Sequence, residues 1–126
     1  MNQQEKRLHK AVCNYIKHQY PNVIFTSEQS GLRLPVGVAK YLKATRNPPR
    51  GLPDVWILHP NKHFHGLLLE LKTSKDEVYR KDGTIRQNEH IQEQQAVITQ
   101  LIKLGYLAQF VFGFDHAKKV VDYYLK

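Results

Sequence analysis

Apolar residues recur at helical spacing in three parts of this chain. The first part predicts a helix from Glu5 to Gln19, which Pro21 ends. The clearest pattern runs from Ile91 to Leu104 and is followed by Gly105, a common C-terminal stop. A third helix is predicted from Asp115 to Tyr124. The amphipathic helices are therefore expected near the start, after the middle and at the end of the sequence.

Short apolar runs between these helices predict four strands, at residues 22–27, 55–58, 66–72 and 106–112. The segment between the middle two contains Pro60 and Asn61, which favour a turn, so these strands are expected to form a β-hairpin. Residues 30–50 are rich in glycine, proline and basic residues. They predict either a loop-dominated segment that contacts substrate, with a possible helical turn around Val38–Leu42, or an ordered structural excursion.

The resulting order is helix, strand, strand, strand, helix, strand, helix. Helices and strands in this order indicate an α/β fold, a mixed sheet flanked by helices. A chain of 126 residues can enclose one hydrophobic core but not two, so residues 1–126 are expected to form a single domain. The only cysteine, Cys13, excludes an internal disulfide and is predicted to be a small core residue of the first helix.

Charge adds a polyanionic partner to this outline. The formal net charge is +8, an excess that favours nucleic acid. The basic residues cluster in two groups around Asp54 and Glu70: Lys40, Lys43, Arg46 and Arg50, then Lys72, Lys75, Arg80, Lys81 and Arg86. The polar N-terminus is unlike a signal peptide and no run is apolar enough to cross a membrane, so a cytoplasmic protein is expected.

The candidate chemistry lies on the two middle strands. Glu70 and Lys72 are two positions apart in one strand and therefore face the same side of the sheet. Asp54 opens the neighbouring strand after the rigid turn Gly51-Leu52-Pro53, so its carboxylate can reach the same side. Two carboxylates beside an ammonium suit Mg²⁺ or Mn²⁺, with the lysine placed to handle a water or an anion.

The alternative interpretation is that Glu70 and Lys72 are simply solvated on an exposed strand face. Glu70, however, interrupts a leucine-rich run, where charged residues are seldom placed unless they are paired or bind a metal. On the helices, Glu5 shares the apolar stripe of Leu8, which either the helix dipole or a functional role would explain. Gln94 also faces inward and needs a partner, whereas Gln95 points to the side.

Together these residues resemble the PD-(D/E)xK nuclease superfamily and, more narrowly, the stand-alone VRR-NUC domains of phages and bacteria. The matching positions are Glu5, Gly51-x-Pro53-Asp54, Glu70-x-Lys72 and Gln94. The resemblance implies a restriction-endonuclease-like fold of order αβββαβα. It also implies that Asp54, Glu70 and the main-chain carbonyl of Leu71 bind a divalent metal, that Lys72 acts on the attacking water, and that Glu5 and Gln94 support the site.

The sequence therefore predicts a Mg²⁺- or Mn²⁺-dependent DNA endonuclease in a bacterial or phage-infected cell. Its predicted DNA-binding residues are Lys40, Lys43, Arg46, Arg50, Lys75 and Arg86. Related stand-alone domains resemble dimeric resolvases of four-way (Holliday) junctions, which implies branched DNA as the substrate and a homodimer. Surplus tyrosines for such a contact are expected at positions 15, 20, 41, 79, 123 and 124.

Three alternatives stand beside this prediction. The chain could act as a monomeric flap or nicking nuclease, or as a non-catalytic DNA-binding module of the same fold. A zinc site at His63-x-His65 is the third, and its spacing fits no structural zinc pattern.

Overall fold

The structure is a computed structural model that describes residues 1–28 and 32–126. The helices of the described residues are α1 (Gln3–Gln19), α2 (Val36–Ala44), α3 (Glu89–Lys103) and α4 (Gly113–Leu125), and a 3-10 turn is present at Lys75–Glu77. The strands are β1 (Phe25–Ser27), β2 (Val55–Ile57), β3 (Leu67–Lys72) and β4 (Leu107–Phe112). No helix among the described residues is long and apolar enough to span a bilayer.

Helix α2 is the main departure from the predicted order of elements. It lies between β1 and β2, where a loop-dominated segment was predicted, so the order is αβαββαβα rather than αβββαβα. The predicted turn at Val38–Leu42 lies inside it, whereas Ser30 falls outside the described residues. None of the residues of α2 is buried. The helix has only nine residues, so its apolar positions, such as Val38 and Leu42, form too short a pattern to predict more than a helical turn.

The strands form one mixed sheet in the order β1-β2-β3-β4. The predicted hairpin is present: β2 and β3 are antiparallel, with Val55 opposite Leu69 and Ile57 opposite Leu67. Strand β1 pairs antiparallel with β2, and β4 pairs parallel with β3. A parallel neighbour requires a crossover connection, which α3 provides. The predicted α/β class with a mixed sheet flanked by helices is confirmed.

The two faces of β3 belong to different layers of the fold. Leu67 and Leu69 pack with α1 and α4 in one hydrophobic cluster. Leu68 packs on the opposite side against the cluster of α3, which includes Ile91 and Ile98. Because side chains alternate along a strand, Glu70 and Lys72 share the α3 side with Leu68.

The core includes some of the residues that the sequence placed there and one tyrosine that it placed outside. Cys13 is half-buried against the α1/α4 cluster, in agreement with a core role, and burial raises the pKa of its thiol. Tyr124 is only 4% exposed, so it is a core residue and not one of the surplus aromatic residues. Tyr41 and Tyr123 remain strongly exposed, as expected for residues outside the core.

Candidate active site

Asp54 is held at the junction of three strands. Its N–H donates to the Leu69 carbonyl at 2.9 Å, and its own carbonyl accepts from the Glu28 N–H at 2.7 Å. The Leu71 N–H donates to Oδ2 of the Asp54 carboxylate at 2.9 Å. These contacts direct the carboxylate towards the end of β3, the side that the sequence predicted.

The turn before Asp54 is built around Gly51. This glycine has a φ of +90°, which side-chain-bearing residues rarely adopt. A Cβ here would approach the Glu93 carbonyl oxygen at 3.0 Å and Val97 Cγ2 at 3.1 Å on α3. Gly51 therefore lets the turn lie directly on α3, which brings Asp54 close to the residues of that helix.

Glu70 and Lys72 are enclosed rather than solvated. Their exposed fractions are 3% and 8%, and Lys72 Nζ lies 3.9 Å from Oε1 of Glu70. The Lys72 ammonium also lies 6.0 Å from the centre of the Phe110 ring, within the range of a cation–π contact. The interpretation of Glu70-x-Lys72 as a solvated pair on an exposed strand face is therefore wrong.

Gln94, not Gln95, reaches this cluster. The Gln94 side chain is 4% exposed and donates through Nε2 to Oε1 of Glu70. Gln95 instead donates to Thr99 Oγ1 at 3.2 Å on the outer side of α3. Asn88 caps α3 by accepting from the Ile91 N–H at 3.3 Å, which sets the start of the helix and thus the face on which Gln94 lies.

Several buried polar atoms of this cluster have no hydrogen-bond partner among the described residues. They are Oε2 of Glu70, Oε1 of Gln94 and Nε2 of His9. Buried polar groups are nearly always paired, so these atoms from three elements leave hydrogen-bonding or ligand positions around one cavity that water or a cation could fill.

The acidity of the two carboxyl groups supports the same conclusion. Burial raises the pKa of Asp54, and the Leu71 N–H, His9 and Lys72 offset only part of the effect. Burial, followed by the nearby charge of Asp54, raises the pKa of Glu70 well above its ordinary value of 4.5, in spite of Lys72. Two mutually repelling carboxylates in a poorly solvated cavity favour a proton or a cation between them.

A cavity of about 360 Å³ is lined by all of the predicted catalytic and metal-binding residues. Asp54, Glu70, Leu71 and Lys72 line it from the sheet, Glu5 from α1 and Gln94 from α3. Asn2 caps α1 by accepting from the Glu5 N–H at 2.9 Å, which places Glu5 in the first turn facing the cavity. The structure thus brings together every residue that the resemblance assigned to the site.

The sequence interpretation missed several residues near this cavity. His9 and His90, which the sequence analysis did not identify as site residues, both line it. His90 Nε2 lies 3.1 Å from Gln94 Nε2, and burial lowers the pKa of the imidazole. Each histidine lies four residues from a predicted site residue on the same helix, Glu5 or Gln94. The i, i+4 spacing is therefore the signal that could have found them.

Glu28 is a further acidic residue beside the site. It is 8% exposed, and its Oε1 lies 2.5 Å from a guanidinium nitrogen of Arg46. Its negative charge contributes to raising the pKa of both Asp54 and Glu70. Sequence spacing gave no indication of this ion pair, because it joins the end of β1 to the segment after α2.

The six predicted DNA-binding residues occupy different environments. Lys40, Lys43 and Arg50 are exposed on or after α2, and Lys75 is exposed just after β3. Arg86 is exposed and donates to the Asp76 carbonyl. Arg46 is half-buried and its guanidinium pairs with Glu28, and a contact between Arg46 and DNA stays a prediction.

A metal site made only of side chains would need several histidine, cysteine, aspartate or glutamate residues close together. No three or more such side chains among the described residues are placed together to hold a metal ion. His65 packs instead against Tyr106, with ring centres 5.7 Å apart. A cation at Asp54 and Glu70 would complete its coordination with main-chain oxygen, water and phosphate, which is how Mg²⁺ is usually bound. Oε2 of Glu70 fits such a ligand because it is otherwise unpaired.

Comparison with known proteins supports the fold. No family model matches this sequence, and no curated protein matches it. A solved structure described as "VRR_NUC domain protein" aligns over 99% of this chain and 90% of its own, with a TM-score of 0.67 and 21% sequence identity. At this identity the likeness concerns the fold: the chain has the fold of a VRR-NUC domain, as the sequence predicted.

Proposed function

We propose that this chain is a divalent-metal-dependent endonuclease that hydrolyses phosphodiester bonds in DNA. The observation that supports this most strongly is the buried Glu70 carboxylate, which keeps one oxygen unpaired beside Asp54 and Lys72. Burying a charged group in a protein costs roughly several kcal/mol per ion, so such a group is seldom retained for stability alone. The VRR-NUC fold gives the same arrangement a nuclease context.

Asp54 and Glu70 would hold Mg²⁺ or Mn²⁺, together with the main-chain carbonyl of Leu71. The bound cation supplies Lewis-acid polarisation of the scissile phosphate and a lowered pKa for water. The protein's own part is to present two preorganised carboxylates whose raised pKa values reflect their need for positive charge.

Lys72 would act on the reacting groups. Hydrolysis forms a bond between a water oxygen and phosphorus, breaks the bond from phosphorus to the leaving oxygen, and delivers a proton to that oxygen. An ammonium beside Glu70 can orient the water or stabilise the negative charge that develops on the phosphate oxygens. Its contact with Phe110 and its low exposure restrict it to the cavity.

Gln94 and Glu5 would support the site from the helices. Gln94 donates to Glu70 and so restricts the rotation of that carboxylate, leaving the other oxygen available. Glu5 lines the same cavity from α1. The net charge of +8 and the exposed Lys40, Lys43, Arg50, Lys75 and Arg86 would neutralise the DNA backbone.

Cleavage of labelled DNA tests this function. We would compare branched, flapped, duplex and single-stranded DNA in Mg²⁺ or Mn²⁺, with Lys72→Met as the inactive variant. Lys103→Met, an exposed lysine at the end of α3, is the matched control. Cleavage by the control but not by Lys72→Met is expected. Binding of DNA without cleavage of any substrate would favour the non-catalytic DNA-binding module instead.

Cation binding can be measured without activity. A ligand that binds only the folded state raises stability by about 2.7 kcal/mol at a hundredfold excess over its Kd. We therefore expect Mg²⁺ or Mn²⁺ to raise the Tm of the wild-type protein and to leave the Tm of Glu70→Gln unchanged. Equal shifts in the two proteins would place the cation elsewhere.

The proposed substrate is branched DNA, and the proposed assembly is a homodimer. Symmetric resolution of a four-way junction needs two coordinated cuts, and a two-fold dimer offers two equivalent sites. Tyr41 and Tyr123, which are 68% and 82% exposed, are available for such a contact. Light scattering at micromolar concentration is expected to give twice the mass of 14.7 kDa. A monomer that stays monomeric on DNA would favour the flap or nicking nuclease.

A further inference from the structure

A second cavity adjoins the candidate active site. It has a volume of about 350 Å³ and lies between α2 and the start of α3. Gly51 and His90 line both cavities, so the two are neighbours across these residues. Neither the proposed catalytic chemistry nor cation binding uses this second cavity.

The lining of the second cavity combines an apolar wall with a cationic rim. Leu34, Ala39 and Leu42 contribute the apolar surface, and Lys43 and Arg50 contribute exposed cations. Every nucleobase has an apolar face and is joined through its sugar to negatively charged phosphates. The charge and polarity of the cavity therefore complement one nucleotide, whose base would lie inside and whose phosphates would lie at the rim.

The position of α2 explains why this cavity exists. None of the residues of the helix is buried, so packing against a core does not close the space beneath it. Arg46, which also lines the cavity, pairs with Glu28, and the Glu28 N–H donates to the Asp54 carbonyl. The floor of the second cavity is thus connected through two contacts to the aspartate of the candidate active site.

We infer that the cavity between α2 and α3 binds a nucleobase that has left the base stack, next to the phosphate to be cut. This inference rests on the proposed nuclease function and specifies its substrate. A base in an intact duplex is stacked and paired, and its extrusion costs a few kcal/mol, roughly. DNA with an unpaired nucleotide at a branch point or flap avoids most of that cost. The cavity would therefore favour branched or flapped DNA with an unpaired nucleotide over fully paired DNA, a fully paired four-way junction included.

Two alanines of α2 provide matched variants. Ala39 lines the cavity, whereas Ala44 is exposed at the end of the same helix and does not line it. Ala39→Trp fills the cavity, and Ala44→Trp introduces the same side chain outside it. We expect Ala39→Trp to lower kcat/KM on DNA with an unpaired nucleotide by at least about tenfold, the scale of one base contact. We expect Ala44→Trp to cleave like the wild type.

An abasic substrate tests whether the base is the ligand. Removing the base at each position around the cut in turn should lower wild-type cleavage at one position by about the same factor as Ala39→Trp. The same abasic substitution should have no further effect on Ala39→Trp, because the two changes remove one contact. Additive effects, or equal cleavage of intact duplex and unpaired DNA by the wild type, would overturn the inference.

Fluorescence of 2-aminopurine separates this inference from the proposed function. The probe brightens when it unstacks, and Ca²⁺ in place of Mg²⁺ allows the measurement without cleavage. We expect brightening at one position next to the cut site or branch with the wild type and Ala44→Trp, and none with Ala39→Trp. If the cavity does not bind a base, Ala39→Trp and Ala44→Trp will give the same fluorescence and both will cleave DNA. If the chain is not a nuclease, the two variants will still differ in fluorescence, but no variant will cleave DNA.

Discussion

Two acidic centres in this molecule differ in how their oxygens are satisfied. Asp122 lies between α1 and α4, where Tyr15 and Tyr20 both donate to Oδ1 at 2.6 Å. Lys118 Nζ and Lys126 Nζ approach Oδ2 at 3.4 Å and 3.9 Å. Glu70 lies between β3 and α3 and accepts from Gln94 at Oε1, while Oε2 has no partner among the described residues.

The acidities of the two groups follow this difference. Desolvation raises the pKa of Asp122, but hydrogen bonds from Tyr15 and Tyr20 and the nearby lysines outweigh it, so the pKa is lowered overall. Burial and the charge of Asp54 raise the pKa of Glu70. Asp122, with partners at both oxygens, joins two helices, whereas Glu70 keeps one oxygen without a partner among the described residues.

The largest expected effect is a loss of activity, which we expect for a change at Glu70 but not at Asp122. Glu70→Gln keeps the shape of the side chain and removes the charge that would hold the cation. Cleavage of DNA in Mg²⁺ should fall by at least about a thousandfold. Asp122→Ala should retain wild-type activity at a temperature where it is folded. Equal loss of activity in the two variants would remove the distinction between the two centres.

The next effect is on stability and belongs to Asp122. Asp122→Ala leaves the Tyr15 and Tyr20 hydroxyls without their acceptor, and hydrogen bonds to charged groups contribute about 1.5–3 kcal/mol. Because Asp122 is partly exposed, we expect a loss of about 1–2 kcal/mol in the free energy of unfolding. Urea denaturation measures it, with Asp115→Ala in the same helix as the control. A loss no larger than the control's would show that the network does not stabilise the fold.

The pH dependence of stability should have opposite signs at the two centres. Folded Glu70 keeps its proton to a higher pH than the unfolded chain, so its contribution becomes unfavourable as pH rises above about 4.5. Asp122 ionises more readily in the folded state, so its contribution is present above its unfolded pKa and is lost as pH falls through the lowered value.

Metal-free protein allows this sign to be measured. The Tm difference between Glu70→Gln and the wild type should be positive at neutral pH and should shrink as pH falls below about 4, where the unfolded chain also becomes protonated at Glu70. A Tm difference that is constant with pH would show that burial of the ionised Glu70 carboxylate does not destabilise the folded state.

The smallest expected effect concerns the lysines and arginines around the two centres. Arg50 is exposed beside the candidate active site, whereas Lys118 is engaged with Asp122. If Arg50 contacts one phosphate, Arg50→Ala should reduce the slope of log K against log salt by about 0.9. Lys118→Ala should leave that slope unchanged. Fluorescence anisotropy with labelled DNA over a range of salt concentrations measures both, and equal slopes would remove Arg50 from the DNA contact.

The sequence alone determined the chemistry on the strands. Alternation along β3 placed Glu70 and Lys72 on one face, because alternation depends only on local backbone geometry. The predicted hairpin then allowed Asp54 to lie beside them, and the pairing of β2 with β3 in the structure brings its carboxylate to the Leu71 N–H. The helical stripe likewise favoured Gln94 over Gln95 as the inward-facing glutamine, and the contact of Gln94 with Glu70 in the structure decides between them. The same reasoning found only a helical turn in α2, because a nine-residue helix carries too short an apolar pattern to show its full length.

Only the tertiary structure decided which of these faces meet. It brought His9 and His90 to the carboxylates, paired Glu28 with Arg46, and left a second cavity under α2. Such contacts join residues far apart in the chain, and no local period encodes them. Burial, which turns Glu70 from an ordinary surface charge into a group that needs a ligand, is likewise a property of the packed molecule.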